Sequence, residues 1–433
     1  MEISQLYSIF EQHPVVTTDS RDCPERSIFF ALKGASFNGN AFAAMALEKG
    51  CAYAVVDEKD AVAEGDARYI LCEDCLHTLQ QLANYHRRHL GTKILGITGT
   101  NGKTTTKELV AAVLEKKYRV LYTQGNFNND IGVPKTLLRL KPEHEIAVVE
   151  MGASHPGDIK TLVDIVEPDC GLITNVGRAH LQGFGSFEGV IKTKGELYDY
   201  IRDNGGFVFI HNENKYLQSI ASGLELVKYG ASADDPSLEV SGEVIDCAPY
   251  LRFRWNCRQG AFHEVQTHLI GSYNVYNMLA AACVGVHFGV NEDLVSEALR
   301  GYVPTNNRSQ LEVTASNRLI VDTYNANPTS MRAALENFRD MAVEPKMAIL
   351  GDMGELGTVS DEEHQKVVDF LAETGLDNVW LVGDNFARTD CPFRKFHSVD
   401  EVKGEIARNK PQGQYILIKG SNSMKLFQLP ELL

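Results

Sequence analysis

Seven consecutive residues, Gly99-Thr100-Asn101-Gly102-Lys103-Thr104-Thr105, constrain this chain more than any other stretch of it. They follow an apolar run of strand length, Lys93–Thr98 (KILGIT), and they open a segment, 103–115, whose apolar residues recur at helical spacing. A bound phosphate needs that context. Glycines let the backbone come close, N–H groups converge, and the helix N-terminus favours negative charge. Lys103 is placed to reach the β- and γ-phosphates and the Thr104 hydroxyl to meet Mg²⁺. The strict Walker spacing would put a glycine at position 97, which is Ile97; the glycines present are Gly96 and Gly99. A Gly-rich turn before a helix is the bland alternative, and Gly-Lys-Thr at a strand-to-helix junction argues against it.

Such a loop sits on a parallel sheet, and the rest of the chain supplies one. Apolar runs at 146–150, 171–174 and 207–210 read as further strands, with helical patterns between some of them. The stretch 225–268 alternates (Leu251, Phe253, Trp255) and predicts antiparallel strands, followed by helices over 273–288 and 291–299. Before this unit, 27–32 and 52–57 read as buried strands around a helix at 42–48. After it, 319–322, 347–350, 379–382 and 415–418 repeat the doubly wound pattern. The expected fold is α/β with three domains: 1–90, a central P-loop parallel sheet with an added antiparallel region over 91–304, and a Rossmann-like doubly wound domain over 305–433. At 433 residues, 44% hydrophobic and 23% charged, the chain can give each of them a core.

A net charge of −15 argues against a general nucleic-acid surface, which needs a basic face. Nine scattered cysteines do not make a disulfide framework at this length. Cys72 and Cys75, with His77 close by, have metal-like spacing, but no second pair completes a zinc site. MEISQLYSIF lacks the basic and apolar regions of a secretory leader, and no apolar stretch reaches the roughly 18–20 residues of a membrane span. The expectation is a cytoplasmic enzyme with no membrane association.

Two strand ends supply candidate metal ligands. The run 146–149 ends at Glu150, a carboxylate beside the phosphate loop. The next strand leads into Thr174-Asn175-Val176-Gly177-Arg178-Ala179-His180, which brings His180 to the same sheet edge. Lone histidines at strand ends are more often structural, and a strand-end glutamate is often merely solvated. Lys192-Thr193-Lys194-Gly195-Glu196 reads on its own as a solvated helix face.

Together these stretches resemble the Mur ligase family, relatives of the folylpolyglutamate synthases. GITGTNGKTTT (96–106) is similar to the string shared across that family. GNFNNDIGVP (125–134), EMGASHPGDI (150–159), TNVGRAHL (174–181), KTKGEL (192–197), SYNVYNMLAA (272–281), DTYNANPTSM (322–331) and GDMGELG (351–357) resemble the member that adds a dipeptide, TYNANP most specifically. TDSRDCPERSIFFALKGASFNGNAF (18–42) is similar to a UDP-binding domain of the family, except that Asn38-Gly39-Asn40 stands where Asp-Gly-His is usual.

The resemblance implies ATP-dependent ligation of D-alanyl-D-alanine to UDP-N-acetylmuramoyl-tripeptide through an acyl phosphate, by a monomer. It implies two Mg²⁺ ions, held by Thr104, Glu150, His180 and a carbamylated Lys194. Catalysis would involve Lys103, Glu150, His180 and Lys194, and ATP would be held by 99–105 with Asn277, Arg308 and Asp322. Ser20, Arg21 and Asn40 would serve the uridine diphosphate, Asn128 and Asn129 the muramoyl peptide, and Asn325 and Ala326 the dipeptide. The rival expectations are a sibling ligase adding a single amino acid, a P-loop phosphotransferase that forms no amide, and a nucleotide-gated binding protein without turnover.

Overall fold

The computed structural model describes residues 1–232, 235–304 and 310–433. Among them the strands fall into three sheets, each carrying its own helices. The first sheet is wholly parallel: β1 (Val16–Thr17), β2 (Ile28–Phe30), β3 (Tyr53–Val56) and β4 (Tyr69–Leu71), in that spatial order. The helix Cys75–Leu90 begins where the Asp74 carboxylate accepts the His77 N–H and ends at Gly91, whose φ of +65° a side chain would resist. Its buried face, Leu79, Leu82, Ala83 and His86, packs on Leu6, Tyr7 and Phe10 of the helix Ile3–Gln12. Each large apolar side chain buried this way contributes about 1.5–3 kcal/mol.

The central sheet contains β5 (Lys93–Thr98), β6 (Val120–Tyr122), β7 (Ile146–Glu150), β8 (Cys170–Ile173), β9 (Phe207–His211), β10 (Glu225–Gly230), β11 (Val240–Cys247), β12 (Tyr250–Cys257) and β13 (His263–Ile270). Their order is 13-12-11-10-9-8-5-7-6. From β6 to β11 every neighbouring pair is parallel; only β11–β12 and β12–β13 are antiparallel. The expectation of antiparallel strands over 225–268 is therefore corrected at its first member. β10 follows the crossover helix Lys215–Ile220 and so returns parallel to β9. One face of the sheet is covered by the helices Lys103–Leu114, Val275–His287 and Glu292–Gly301, the other by Asp158–Val166 and Phe187–Asn204.

The third sheet has β14 (Gln310–Val313), β15 (Arg318–Asp322), β16 (Lys346–Gly351), β17 (Val379–Val382), β18 (Arg394–Phe396) and β19 (Tyr415–Lys419), in the order 14-15-19-16-17-18. It is parallel apart from the edge strand β14. Helices lie on both faces, Pro328–Asp340 and Ser360–Thr374 on one and Val399–Arg408 on the other. The three-domain α/β architecture thus agrees with the sequence reading. Among the described residues no helix is long and apolar enough to cross a membrane.

Candidate active site

The C-terminal ends of β5, β7 and β8 open into a cavity of about 740 Å³, closed on its far side by the loop after β15 and the start of the helix Pro328–Asp340. This is where ligands bind on parallel sheets. The turn after β5 is built from two glycines. Gly99 has φ +142°, and a Cβ there would lie 2.0 Å from Thr174 Oγ1; Gly102 has φ +78°, with its Cβ position 2.7 Å from Asn277 Oδ1. No other residue fits either place. The loop is tied to the end of β8: the Asn101 carbonyl accepts from Thr174 Oγ1 (2.7 Å) and Asn175 Nδ2 (3.0 Å), and the Asn101 N–H donates to Asn175 Oδ1 (3.1 Å). Lys103 Nζ donates to the carbonyls of Gly99 (2.8 Å) and Thr100 (3.1 Å), so its cation sits over the loop. Thr105 lines the cavity beside it.

Glu150 ends β7 fully buried. Its Oε1 accepts from Thr104 Oγ1 (3.2 Å) and Asn128 Nδ2 (2.8 Å). Its Oε2 accepts no hydrogen bond among the described residues; Lys107 Nζ lies 3.7 Å away. A buried carboxylate oxygen with open acceptor capacity, beside a hydroxyl, fits a hard cation such as Mg²⁺. His180, at φ +50°, sets its Nδ1 against the Glu355 carboxylate. Burial pushes its pKa below the usual imidazole value, against the pull of Glu355, which leaves the neutral ring a ligand requires.

Lys194 is 2% exposed, whereas Lys192, two residues earlier on the same helix, is exposed. The Lys194 amine donates to the Ala153 carbonyl at 3.5 Å and faces the Phe184 ring at 5.5 Å. Burial, and then the charge of Lys103, push its pKa well below the usual amine value, against Asp158 and Glu196. A buried neutral amine is the form that can react with carbon dioxide.

On the helix side, Asn277 accepts from Thr106 Oγ1 (3.1 Å) and donates to Asn274 Oδ1 (2.7 Å), with its amide against Gly102. Asp322, at the end of β15, pairs with the buried Lys419 at 2.6 Å, and Lys419 also donates to the Asn325 carbonyl. Asn325 is exposed to the cavity, while Ala326 is buried behind it. Asn129 caps the next turn by accepting the Gly132 N–H at 2.8 Å and also lines the cavity.

Three sequence-predicted residues lie apart, in the connections between strands of the N-terminal unit. Arg21 is exposed and paired with Asp19, and the Ser20 carbonyl accepts from Lys49. Asn40 is buried, with Nδ2 donating to Asn38 and Asp57 and Oδ1 accepting the Asp57 N–H. Arg308 lies outside the described residues. The sequence reading passed over Asn175, Lys107, Asn327 and Lys419. Asn175 and Asn327 stood inside quoted strings, and Lys107 falls one helical turn after Lys103, but their roles depend on contacts between distant segments.

A phosphate loop, a buried acid at the neighbouring strand end and a second α/β unit facing the same cavity define an enzyme that works on a nucleoside triphosphate. Comparison narrows the class. Residues 14–87 match the Mur ligase family catalytic domain, 97–285 the Mur ligase middle domain and 307–422 the Mur ligase glutamate ligase domain. The chain is 34% identical over 426 residues to the UDP-N-acetylmuramoyl-tripeptide–D-alanyl-D-alanine ligase of Bacillus subtilis, covering 96% of this chain and 92% of the relative. It is 33% identical to the Escherichia coli ligase of the same name, over 85% and 81% of the two chains. The MurF crystal structure from Acinetobacter baumannii superposes with a TM-score of 0.87 at 31% identity, over 96% and 92%. MurF from Thermotoga maritima, solved in complex with ADP, superposes with a TM-score of 0.85 at 25% identity, over 96% of each. The chain belongs to the Mur ligase family. It is accordingly an ATP-dependent ligase.

Proposed function

We propose that this ligase joins the amine of D-alanyl-D-alanine to the terminal carboxylate of UDP-N-acetylmuramoyl-tripeptide, a step of peptidoglycan precursor synthesis. The observation that carries the reading is the near full-length match to ligases of that name, with the 322–331 segment facing the phosphate loop across one cavity. In this reading 1–90 holds the UDP-sugar through Ser20, Arg21 and the surroundings of Asn40. The central unit, 91–304, holds ATP and the muramoyl peptide, the latter through Asn128 and Asn129, and 305–433 closes over both and offers Asn325 and Ala326 to the dipeptide. Asn277, Asp322 and Arg308 belong to the ATP side.

Amide formation from a carboxylate is slow in water, and an anionic carboxylate is repelled by an anionic triphosphate. Lys103, fixed over the loop by two carbonyls, puts a cation where the phosphoryl group passes. A carboxylate oxygen of the tripeptide attacks the γ-phosphorus and ADP departs. The dipeptide amine then attacks the acyl carbon, phosphate leaves, and the amine loses a proton. Thr104 and Glu150 fit one Mg²⁺, His180 and a carbamylated Lys194 a second; bound there, the metal supplies charge neutralisation for the phosphates. Carbamylation would turn Lys194 from a repelling cation into an oxygen donor, and its burial favours the neutral amine that this requires.

Mass spectrometry of the reaction product tests the reading. The expected mass is that of the tripeptide nucleotide plus the dipeptide minus water. Ligation of a single amino acid with no D-alanyl-D-alanine product would assign the chain to a sibling activity.

A further inference from the structure

The helix Pro328–Asp340 begins at Asn327, whose Oδ1 accepts the Ser330 N–H at 2.9 Å while the Ser330 hydroxyl oxygen accepts the Asn327 N–H at 3.1 Å. That reciprocal cap uses one end of the Asn327 side chain. The other end crosses to the central unit: Nδ2 donates to Asn101 Oδ1 in the phosphate loop at 2.8 Å. Asn327 is 6% exposed and Asn101 lines the cavity, so this bond is part-buried. Two residues on, Thr329 Oγ1 accepts the Arg178 N–H at 3.0 Å, and the neighbouring Gly177 N–H donates to the Thr100 hydroxyl at 2.9 Å. A Cβ on Gly177 would come within 2.9 Å of Thr329 Oγ1, so the two segments fit only with glycine there. One helix start therefore reaches two successive phosphate-loop residues, Asn101 directly and Thr100 through Gly177 and Arg178.

We propose that Asn327 is a positioning residue that makes the orientation of the Asn101 side chain in the phosphate loop depend on docking of the C-terminal unit. The proposal rests on the reading that 99–105 holds the phosphates of ATP. The Asn101 backbone is held by Thr174 and Asn175, which belong to the central unit. What docking adds is a fixed orientation for the Asn101 side chain at the mouth of the loop. Linkage makes the effect reciprocal: ATP that prefers the docked loop favours the docked unit by the same factor. The mouth of the phosphate loop is thus completed by the unit that carries the 322–331 segment, which ties nucleotide affinity to closure over the second substrate.

Asn327→Ser separates this role from the helix cap. Serine caps a helix about as well as asparagine, but its side chain is too short to reach Asn101. Isothermal titration calorimetry with ATP, together with steady-state kinetics, reads the effect. Loss of this part-buried hydrogen bond is expected to raise the Kd and KM for ATP roughly fivefold to tenfold. The KM for the UDP-linked substrate and the melting temperature should remain those of the wild type. Asn101→Ala removes the acceptor of the same bond, so adding Asn327→Ser to it should cost nothing further. An unchanged ATP affinity in Asn327→Ser, or a second loss of equal size in the double variant, overturns the proposal. Calorimetry keeps the comparison independent of the ligation reaction. Wild-type protein that binds ATP but makes no amide would overturn the functional reading instead, and wild-type protein that binds no ATP would overturn both.

Discussion

Lys194→Met should stabilise the protein while abolishing its activity. Lys194 is 2% exposed, with one hydrogen bond among the described residues, at 3.5 Å to the Ala153 carbonyl, and Lys103 acts on it as a like charge. Burying a poorly satisfied polar group costs about 1–3 kcal/mol, and methionine of similar length carries no such group. For a unit of 150–250 residues each kcal/mol shifts the melting temperature by roughly 2–4 °C. The gain should depend on pH with a definite sign. The folded amine has its pKa pushed down, so below about pH 10.4 the unfolded chain binds a proton that the folded chain does not. Wild-type stability therefore rises with pH over the window between the folded value and about 10.4, and the advantage of Lys194→Met shrinks by up to about 1.4 kcal/mol per pH unit. The assay is urea unfolding of nucleotide-free, metal-free protein in bicarbonate-free buffer from pH 7 to pH 9, alongside turnover. A variant less stable than wild type at pH 7, or a margin that does not change with pH, would refute the reasoning. So would full activity.

Three further outcomes follow from the same geometry. Lys103→Ala should lower turnover by roughly 100-fold or more, as expected for loss of a fixed cation at the transferring phosphoryl group, with an unchanged unfolding curve; near-normal rates would remove Lys103 from the chemistry. Gly99→Ala should abolish ATP binding by calorimetry, because φ +142° and a 2.0 Å approach to Thr174 Oγ1 leave a side chain no place, whereas Gly404→Ala, inside the helix Val399–Arg408 with open space around it, should bind normally. His86 is buried between the Tyr7 hydroxyl and the Leu140 carbonyl, and burial lowers its pKa. Its contribution is fully present above about pH 6.5 and is lost as pH falls through the folded value, so urea midpoints measured from pH 8 to pH 5 should fall more steeply in wild type than in His86→Gln.

What the sequence made legible was what is local. β5 and β7 have the predicted bounds, Lys93–Thr98 and Ile146–Glu150, because long apolar runs ending at a glycine loop or a carboxylate leave little choice. β1, β4, β6 and β18 have two or three residues each, too few to show any periodicity. The parallel return of β10 was hidden because alternation reports one buried face and not strand direction. Within the site, spacing brought the glycines, Lys103 and Glu150 to one sheet edge, but it could not distinguish a buried Lys194 from an exposed Lys192; the family pattern did that, and the packing of the helix Phe187–Asn204 supplies the reason. Lys107, buried beside Glu150, and Asn327, reaching Asn101 across 226 positions of sequence, depend on tertiary contact and leave no local signature.

The central claim, that phosphoryl transfer from ATP serves amide formation, is tested most directly by phosphate release. Purified protein is given ATP, Mg²⁺ and UDP-N-acetylmuramoyl-tripeptide, with and without D-alanyl-D-alanine. Sustained release only when the dipeptide is present, with one phosphate per amide formed, is the predicted result. Release at the same rate without the dipeptide would contradict the account and mark the chain as a phosphotransferase or ATPase that forms no amide.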